Sequence, residues 1–188
     1  METLHIIAGV CLGVGLAAAV GFRVFLPLLF LSFAGFNDII PLNESWEWVG
    51  SLTAVIVLGI ATVIEIAGYY IPWVDNALDT IAVPLATAAG MLVVAATVSD
   101  LDPVITWALT IIAGGGTAAA ISGTSSAVRL TATATTGGFA NPIVSTAETA
   151  TATVFSVLAI FIPIAAGILV LLLFYFVIRF YKKRRRKV

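Results

Sequence analysis

Five apolar stretches, at about 4–36, 51–71, 81–98, 103–123 and 149–180, fill most of this chain of 188 residues. A helix of about 20 apolar residues can cross the hydrocarbon core with its backbone groups bonded internally. The middle three stretches fit one crossing each, and the first and last are longer than one crossing needs. Only 10% of the residues are charged and 61% are hydrophobic, against about 25% and about 45–50% in soluble domains. These figures exclude a soluble globular enzyme, a disordered tail and a nucleic-acid-binding module. The expected fold is an all-α integral membrane protein of about five transmembrane helices plus broken or re-entrant segments. Residues 1–181 are expected to form one helical domain, and 182–188 a basic tail.

The charges are unevenly placed. Seven of the nine Lys and Arg residues lie between Arg179 and Lys187, and the rest of the chain carries Arg23 and Arg129 against all ten acids. Basic residues flanking a span are retained on the cytoplasmic side. The C-terminus is therefore expected in the cytoplasm of a plasma-membrane protein. Counting back through five spans puts the N-terminus outside, and residues 37–50 on the same side as the tail. The basic run reads first as an orientation anchor, and second as a contact for anionic lipid. No basic region precedes the first apolar stretch, so residues 1–35 are expected to belong to the fold rather than to a cleaved signal.

His5 and Cys11 are the only residues of their kinds. A His/Cys zinc site and an intrachain disulfide are thereby excluded. No phosphate-binding loop, dinucleotide fingerprint or His-Glu-x-x-His motif occurs, and no cofactor is implied.

Local signals mark the expected ends. Asp102-Pro103 reads as an N-cap followed by proline at the first helical position, and Asn141-Pro142 repeats the pattern. Pro72 is expected to end the second helix, Asp75 to cap the third, and Pro84 and Pro163 to kink their helices. Trp46, Trp48, Trp73 and Trp107 fall near expected ends, as interfacial aromatics do. The segment Thr124 to Thr151 is too polar for a lipid-facing helix and is read as a broken or re-entrant element covered by protein.

Two ladders of small residues share an offset of 106. Gly9, Gly13, Ala17 and Gly21 precede Arg23, and Gly115, Ala119, Gly123 and Ala127 precede Arg129. Residues four apart share a helix face, and small side chains let helices approach closely in lipid. Packing within the bundle is one reading, and a homodimer interface or a backbone-lined pathway is the other. With five spans the two ladder helices would run in opposite directions. The repeat, with halves 4–98 and 103–181, would then have inverted topology, its polar breaks meeting near the midplane.

A charged side chain at bilayer depth normally faces the interior and has a partner. Arg23, Glu65, Arg129 and Glu148 are therefore the foremost candidates, as two Arg/Glu pairs lining or gating a path, with Asn141 and Ser145 beside them. Ser145 to Glu148 also matches a helix capping box. Asp75 and Asp79 are one turn apart and are either helix-end acids or ligands for a hard cation. Thr131, Thr133, Thr135, Thr136, Thr146, Thr149 and Thr151 offer hydroxyls to a solute or to freed backbone.

The segment Gly15-Leu-Ala-Ala-Ala-Val-Gly-Phe-Arg23-Val-Phe-Leu-Pro27 resembles the opening of a prokaryotic membrane family known as domain of unknown function 4126. Glu65 with Pro72-Trp-Val-Asp75-Asn76-Ala-Leu-Asp79 is similar to its second signature. Arg129, Gly138, Asn141-Pro142, Ser145 and Glu148 are similar to its third. The resemblance implies a multi-pass helical protein with a polar set of Arg23, Glu65, Asp75, Asp79, Arg129 and Glu148, and it implies no activity. From the residues, the expected function is a small transporter or channel-like protein for an ion or small polar solute. A membrane scaffold with structural ion pairs and an intramembrane enzyme using Asp75 and Asp79 are the alternatives.

Overall fold

The computed structural model describes residues 2–99 and 101–185. Met1, Asp100 and the last three residues of the basic tail lie outside the described residues, as do the side chains of Glu2, Pro72, Ile178 and 180–185. Among the described residues every regular element is a helix. In order these are α1 (Glu2–Val20), α2 (Phe25–Phe36), a 3-10 segment (Glu44–Gly50), α3 (Leu52–Gly68), α4 (Pro72–Thr97), α5 (Pro103–Leu109), a widened π turn (Thr110–Gly115), α6 (Gly116–Thr136), α7 (Asn141–Phe161) and α8 (Pro163–Arg185). Four helical segments are long and apolar enough to span: Thr3–Val20, Trp73–Thr97, Pro103–Thr136 and Asn141–Phe161. A fifth arises if the 3-10 segment and α3, bent by 60°, count together. The protein is an all-α membrane protein of about the expected number of spans.

The first apolar stretch is two helices, not one. At Gly21-Phe22 the chain leaves the helix, and α2 turns back from Phe25. Pro27 sits in the first turn of α2, where a missing N–H costs nothing. α2 ends beside the 3-10 segment, with Ser32 donating to the carbonyl of Val49 at 2.6 Å.

Close contacts give each helix its direction. Gly9 lies against Thr97 and Gly13 against Val94, so α1 and α4 are antiparallel. Gly90 meets Gly114 and Ala118, so α4 and α6 are antiparallel as well. α1 and α6 therefore run the same way, and Gly21 meets Ile121 of α6. The ladder helices are parallel, which overturns the inverted repeat. The physical reason is the extra reversal at Gly21-Phe22. α7 returns along α1, with Arg23 bonded to Ser145 and Gly15 against Ala159. α8 then runs parallel to α1, with Gly167 on Cys11 and Phe174 packed with Phe22 around Val170.

The second ladder is not the contact face. Gly115 is buried, but Gly123 and Ala127 are exposed, and a Cβ on Gly123 would meet nothing. The widened turn at Thr110–Gly115 rotates the helix below it, so Ala118, Ile121, Ser122 and Arg129 face inward instead.

Several expected helix ends also move. Pro72 opens α4 rather than closing α3, and Asp75 caps nothing because Ile71 is the N-cap. Asn141 is the first residue of α7, with Ala140 as its N-cap, so neither Asn141 nor Ser145 caps a helix. Asp102 does cap α5, accepting from the Val104 N–H at 2.8 Å. Thr124 to Thr151 is the C-terminal part of α6 and the first half of α7, joined at Gly137 and Gly138, whose φ values of 63° and 90° favour glycine. Pro163 begins a separate helix instead of kinking one.

The bundle thus has two distinct ends. Residues 37–50 sit at the end holding the α4 C-terminus, where Asn43 donates to the carbonyl of Val98 at 3.0 Å. The C-terminal half of α8 lies at the other end, where Val177 shares a groove with Ile143 and Val144. This reverses the expectation that residues 37–50 and the tail share a side. In a Cys11→Ser background, Ser45→Cys and Lys182→Cys should label with an impermeant maleimide from opposite sides of the membrane. Labelling of both from one side would contradict this arrangement.

Candidate functional site

The end that bears α8's C-terminal half gathers both arginines that lie outside the basic run and four of the ten acids. α6 delivers Arg129 from above the Gly137 turn. The first two turns of α4 supply Asp75 and Asp79, and the first two turns of α7 supply Asn141, Ser145 and Glu148. The α1–α2 break supplies Arg23, the last turn of α3 supplies Glu65, and Tyr69 is the C-cap of α3. The polar breaks meet as expected, but near one end of the bundle and not at its middle.

Arg129 is the hub. Its Nη1 lies 2.5 Å from Asp75 Oδ1, and its Nε donates to Glu148 Oε1 at 3.1 Å. Its Nη2 donates to Glu148 Oε2, and Asp79 Oδ1 stands 3.8 Å from Nε. Ser125, one turn before Arg129 on α6, donates to Glu148 Oε1. Such a fork matches the planar guanidinium, which can serve two carboxylates at once.

Arg23 is almost completely buried. Its Nη2 donates to the Ser145 carbonyl at 2.9 Å and to the Ser145 hydroxyl, and its Nε donates to Thr149 Oγ1 at 3.0 Å. Glu148 Oε2 is 3.6 Å away, so Glu148 is shared by both arginines. Both guanidinium groups also lie over the Tyr69 ring, at 3.9 Å and 4.1 Å from its centroid. A buried aromatic face attracts a cation through its quadrupole.

Glu65 departs from the expected Arg/Glu pairing. Its oxygens accept the N–H groups of Val24 at 2.7 Å and Phe25 at 3.0 Å. It therefore closes the freed N-terminus of α2 from across the bundle, where a carboxylate also suits the helix dipole.

Asp75 and Asp79 turn to Arg129 and do not flank a shared pocket. Both Asp75 oxygens are engaged, one by Arg129 and the other by Asn141 Nδ2 at 2.7 Å. Asn141 also donates to Thr133 Oγ1 at 2.9 Å. Among the described residues no group of three His, Cys, Asp or Glu is arranged to hold a metal. Two buried atoms here have no partner: Arg23 Nη1 and Asn141 Oδ1.

Of the remaining expected hydroxyls, Thr131, Thr135, Thr136, Thr146 and Thr151 bond the carbonyl four residues back in their own helices. They satisfy backbone at exposed positions and lie outside the cluster. Tyr69 and Ser125 belong to it and were missed from the sequence. Each sits one helical turn from a residue already singled out, Tyr69 from Glu65 and Ser125 from Arg129, and that spacing was the available signal.

Two grooves of about 500 Å³ and about 550 Å³ flank the cluster. The first lies between α6, α7 and α8 and reaches Glu148, and the second lies between α3 and α4 and reaches Glu65 and Tyr69. A third cavity, of about 410 Å³, lies at the opposite end beside Asn43, Trp46 and Trp107. Leu16, Val20, Val93 and Val94, all fully buried, belong to the continuous apolar core of the bundle.

Comparison with curated proteins and with solved structures finds no match. A family model described as Domain of unknown function (DUF4126) matches residues 10–183, nearly the whole chain, and the protein with this buried two-arginine, four-carboxylate cluster belongs to that family.

Proposed function

We propose that the protein is a small membrane transporter or channel-like protein for an ion or small polar solute, with the arginine–carboxylate cluster as its gate. The observation that carries this reading is the charge balance of the cluster. Glu65 is taken up by backbone N–H groups, which leaves Asp75, Asp79 and Glu148 to share two arginines. A lock built only for stability needs no surplus carboxylate, since each buried charge costs several kcal/mol unless it is paired. Asp79 is the surplus. It stands 3.8 Å from Arg129, its side chain is 13% exposed, and it is the most accessible acid of the four. A proton or a cation arriving there would weaken the hold on Arg129 and free Glu148 to reorganise. The unpartnered Arg23 Nη1 and Asn141 Oδ1 offer a donor and an acceptor to a polar solute. The buried apolar core of the bundle corresponds to a closed state.

The burial of Arg23 and Asp75, whose side chains are 0% and 1% exposed, favours the second reading, a scaffold with structural ion pairs. Flux from liposomes separates the two. Wild-type protein should pass at least one member of an ion panel. Asp79→Asn should fold normally and lower that flux by roughly tenfold, the effect of about 1.4 kcal/mol on a barrier. Flux unchanged in both Asp79→Asn and Glu148→Gln would remove the cluster from the path, and no wild-type flux for any ion would support the scaffold.

A further inference from the structure

The groove between α6, α7 and α8 has a feature that a gate does not need. Its walls are apolar, formed by Ile121 and Val128 of α6, Val144 of α7, and Leu173, Phe174 and Val177 of α8. It is open on its outer side, where Val128, Ile143 and Val177 are exposed. Its volume of about 500 Å³ falls within the usual range for a ligand site, about 300–1,000 Å³. It runs along the part of α8 that is apolar enough to lie in lipid, Pro163–Val177. Two residues beyond Val177 the chain becomes strongly basic, with seven Lys and Arg from Arg179 to Lys187.

A lipid-facing apolar groove, lined by the same helix whose sequence turns strongly basic two residues further on, is complementary to one class of molecule. The molecule has a long hydrocarbon chain and an anionic head, with the head at the membrane surface. A water-soluble solute gains nothing from such walls. A zwitterionic lipid matches the slot but not the charge. A partner helix would leave the basic run unanswered unless it were acidic at the same depth.

We propose that this groove holds an acyl chain of an anionic phospholipid, whose phosphate head is held by the basic run beginning at Arg179. The groove fixes the position of the lipid, and the charge selects its head. Occupied in this way, the groove keeps water from Glu148 along its lateral side. This assignment is independent of whether the cluster gates a path.

Native mass spectrometry of the full chain, released from micelles doped with phosphatidylglycerol or phosphatidylcholine, tests it. Wild type should retain phosphatidylglycerol in preference to phosphatidylcholine. Replacing the six basic residues from Lys182 to Lys187 by Gln should lower that preference by about tenfold or more, given the strength of basic residues near an anionic surface. Ala147→Trp, at an exposed groove-lining position, should abolish retention of both lipids while elution and helical content stay normal. Retention lost in the tail variant but intact in Ala147→Trp assigns the lipid to the tail alone and overturns the groove. Equal retention of the two lipids by wild type overturns the charge selection.

Discussion

Arg129→Ala is expected to leave little folded protein, although it removes a side chain that touches no exposed surface of consequence. The guanidinium holds Asp75, Glu148 and Asp79 together. Its loss leaves three carboxylates around a site that is almost closed to water, with Arg23 the only other cation near them among the described residues. Removing one partner of a buried pair typically costs about 3–5 kcal/mol, because the other charge stays buried. That is a large share of the roughly 5–15 kcal/mol that stabilises a typical domain. The melting temperature in detergent should fall by about 10 °C or more. Arg129→Lys should fall between wild type and Ala. It keeps the charge but has no planar fork, so it cannot bond Asp75 and both oxygens of Glu148 together. The double variant Arg129→Ala/Glu148→Gln should lose less than the two single changes added, because Glu148→Gln removes a carboxylate that Arg129→Ala strands. A melting temperature for Arg129→Ala within about 2 °C of wild type would mean that these groups do not form one closed network.

This cluster shows what a sequence of this kind reveals and what it conceals. Arg23, Glu65, Arg129 and Glu148 stand out because lipid rejects an unpaired charge, and that argument requires no three-dimensional knowledge. Arg129 and Glu148 do pair. An acid near a helix start, such as Asp75, usually caps its helix, but the structure places Asp75 fully inside the cluster. Its register was hidden because α4 begins at Pro72, a residue that equally well ends a preceding helix. Glu65, whose depth in the span suggests an arginine partner, closes a helix N-terminus that exists only because the first apolar stretch breaks in two. That break carries the largest consequence. An apolar run reads the same whether the chain goes straight on or folds back, so one unseen reversal at Gly21-Phe22 sets the relative direction of the ladder helices, and a second, where Pro163 starts α8 as a separate helix, puts residues 37–50 at the opposite end from the tail. Hydrophobicity reports that a segment lies in lipid. The direction in which it crosses comes from the contacts it makes.

Gly90→Ala is the second change expected to have a large effect, and it acts at the point where α4 and α6 come closest. A Cβ on Gly90 would lie 2.5 Å from the Ala118 Cβ and 2.7 Å from the Gly114 carbonyl oxygen. Neither obstacle is the end of a flexible side chain, so the helices themselves must separate. In lipid, where apolar surface gains nothing by leaving water, such close backbone packing is a main source of helix association. Overpacking of this kind costs about 1–3 kcal/mol. The displacement also reaches the cluster, because α4 carries Asp75 and α6 carries Arg129. Gly90→Ala should therefore lower the melting temperature by several degrees, on the order of 5 °C, and Gly90→Val should lower it further. Gly123→Ala is the control. It lies on the same α6 and within the sequence ladder, but a Cβ there meets nothing within 4 Å. On a helix interior, Gly to Ala is worth up to about 1 kcal/mol in favour of Ala. Gly123→Ala should therefore leave stability unchanged or slightly raised. If it destabilises as much as Gly90→Ala, the exposed face of Gly123 and Ala127 must be buried against something outside this chain, and the homodimer that the ladder suggested becomes the arrangement to test by crosslinking across that face.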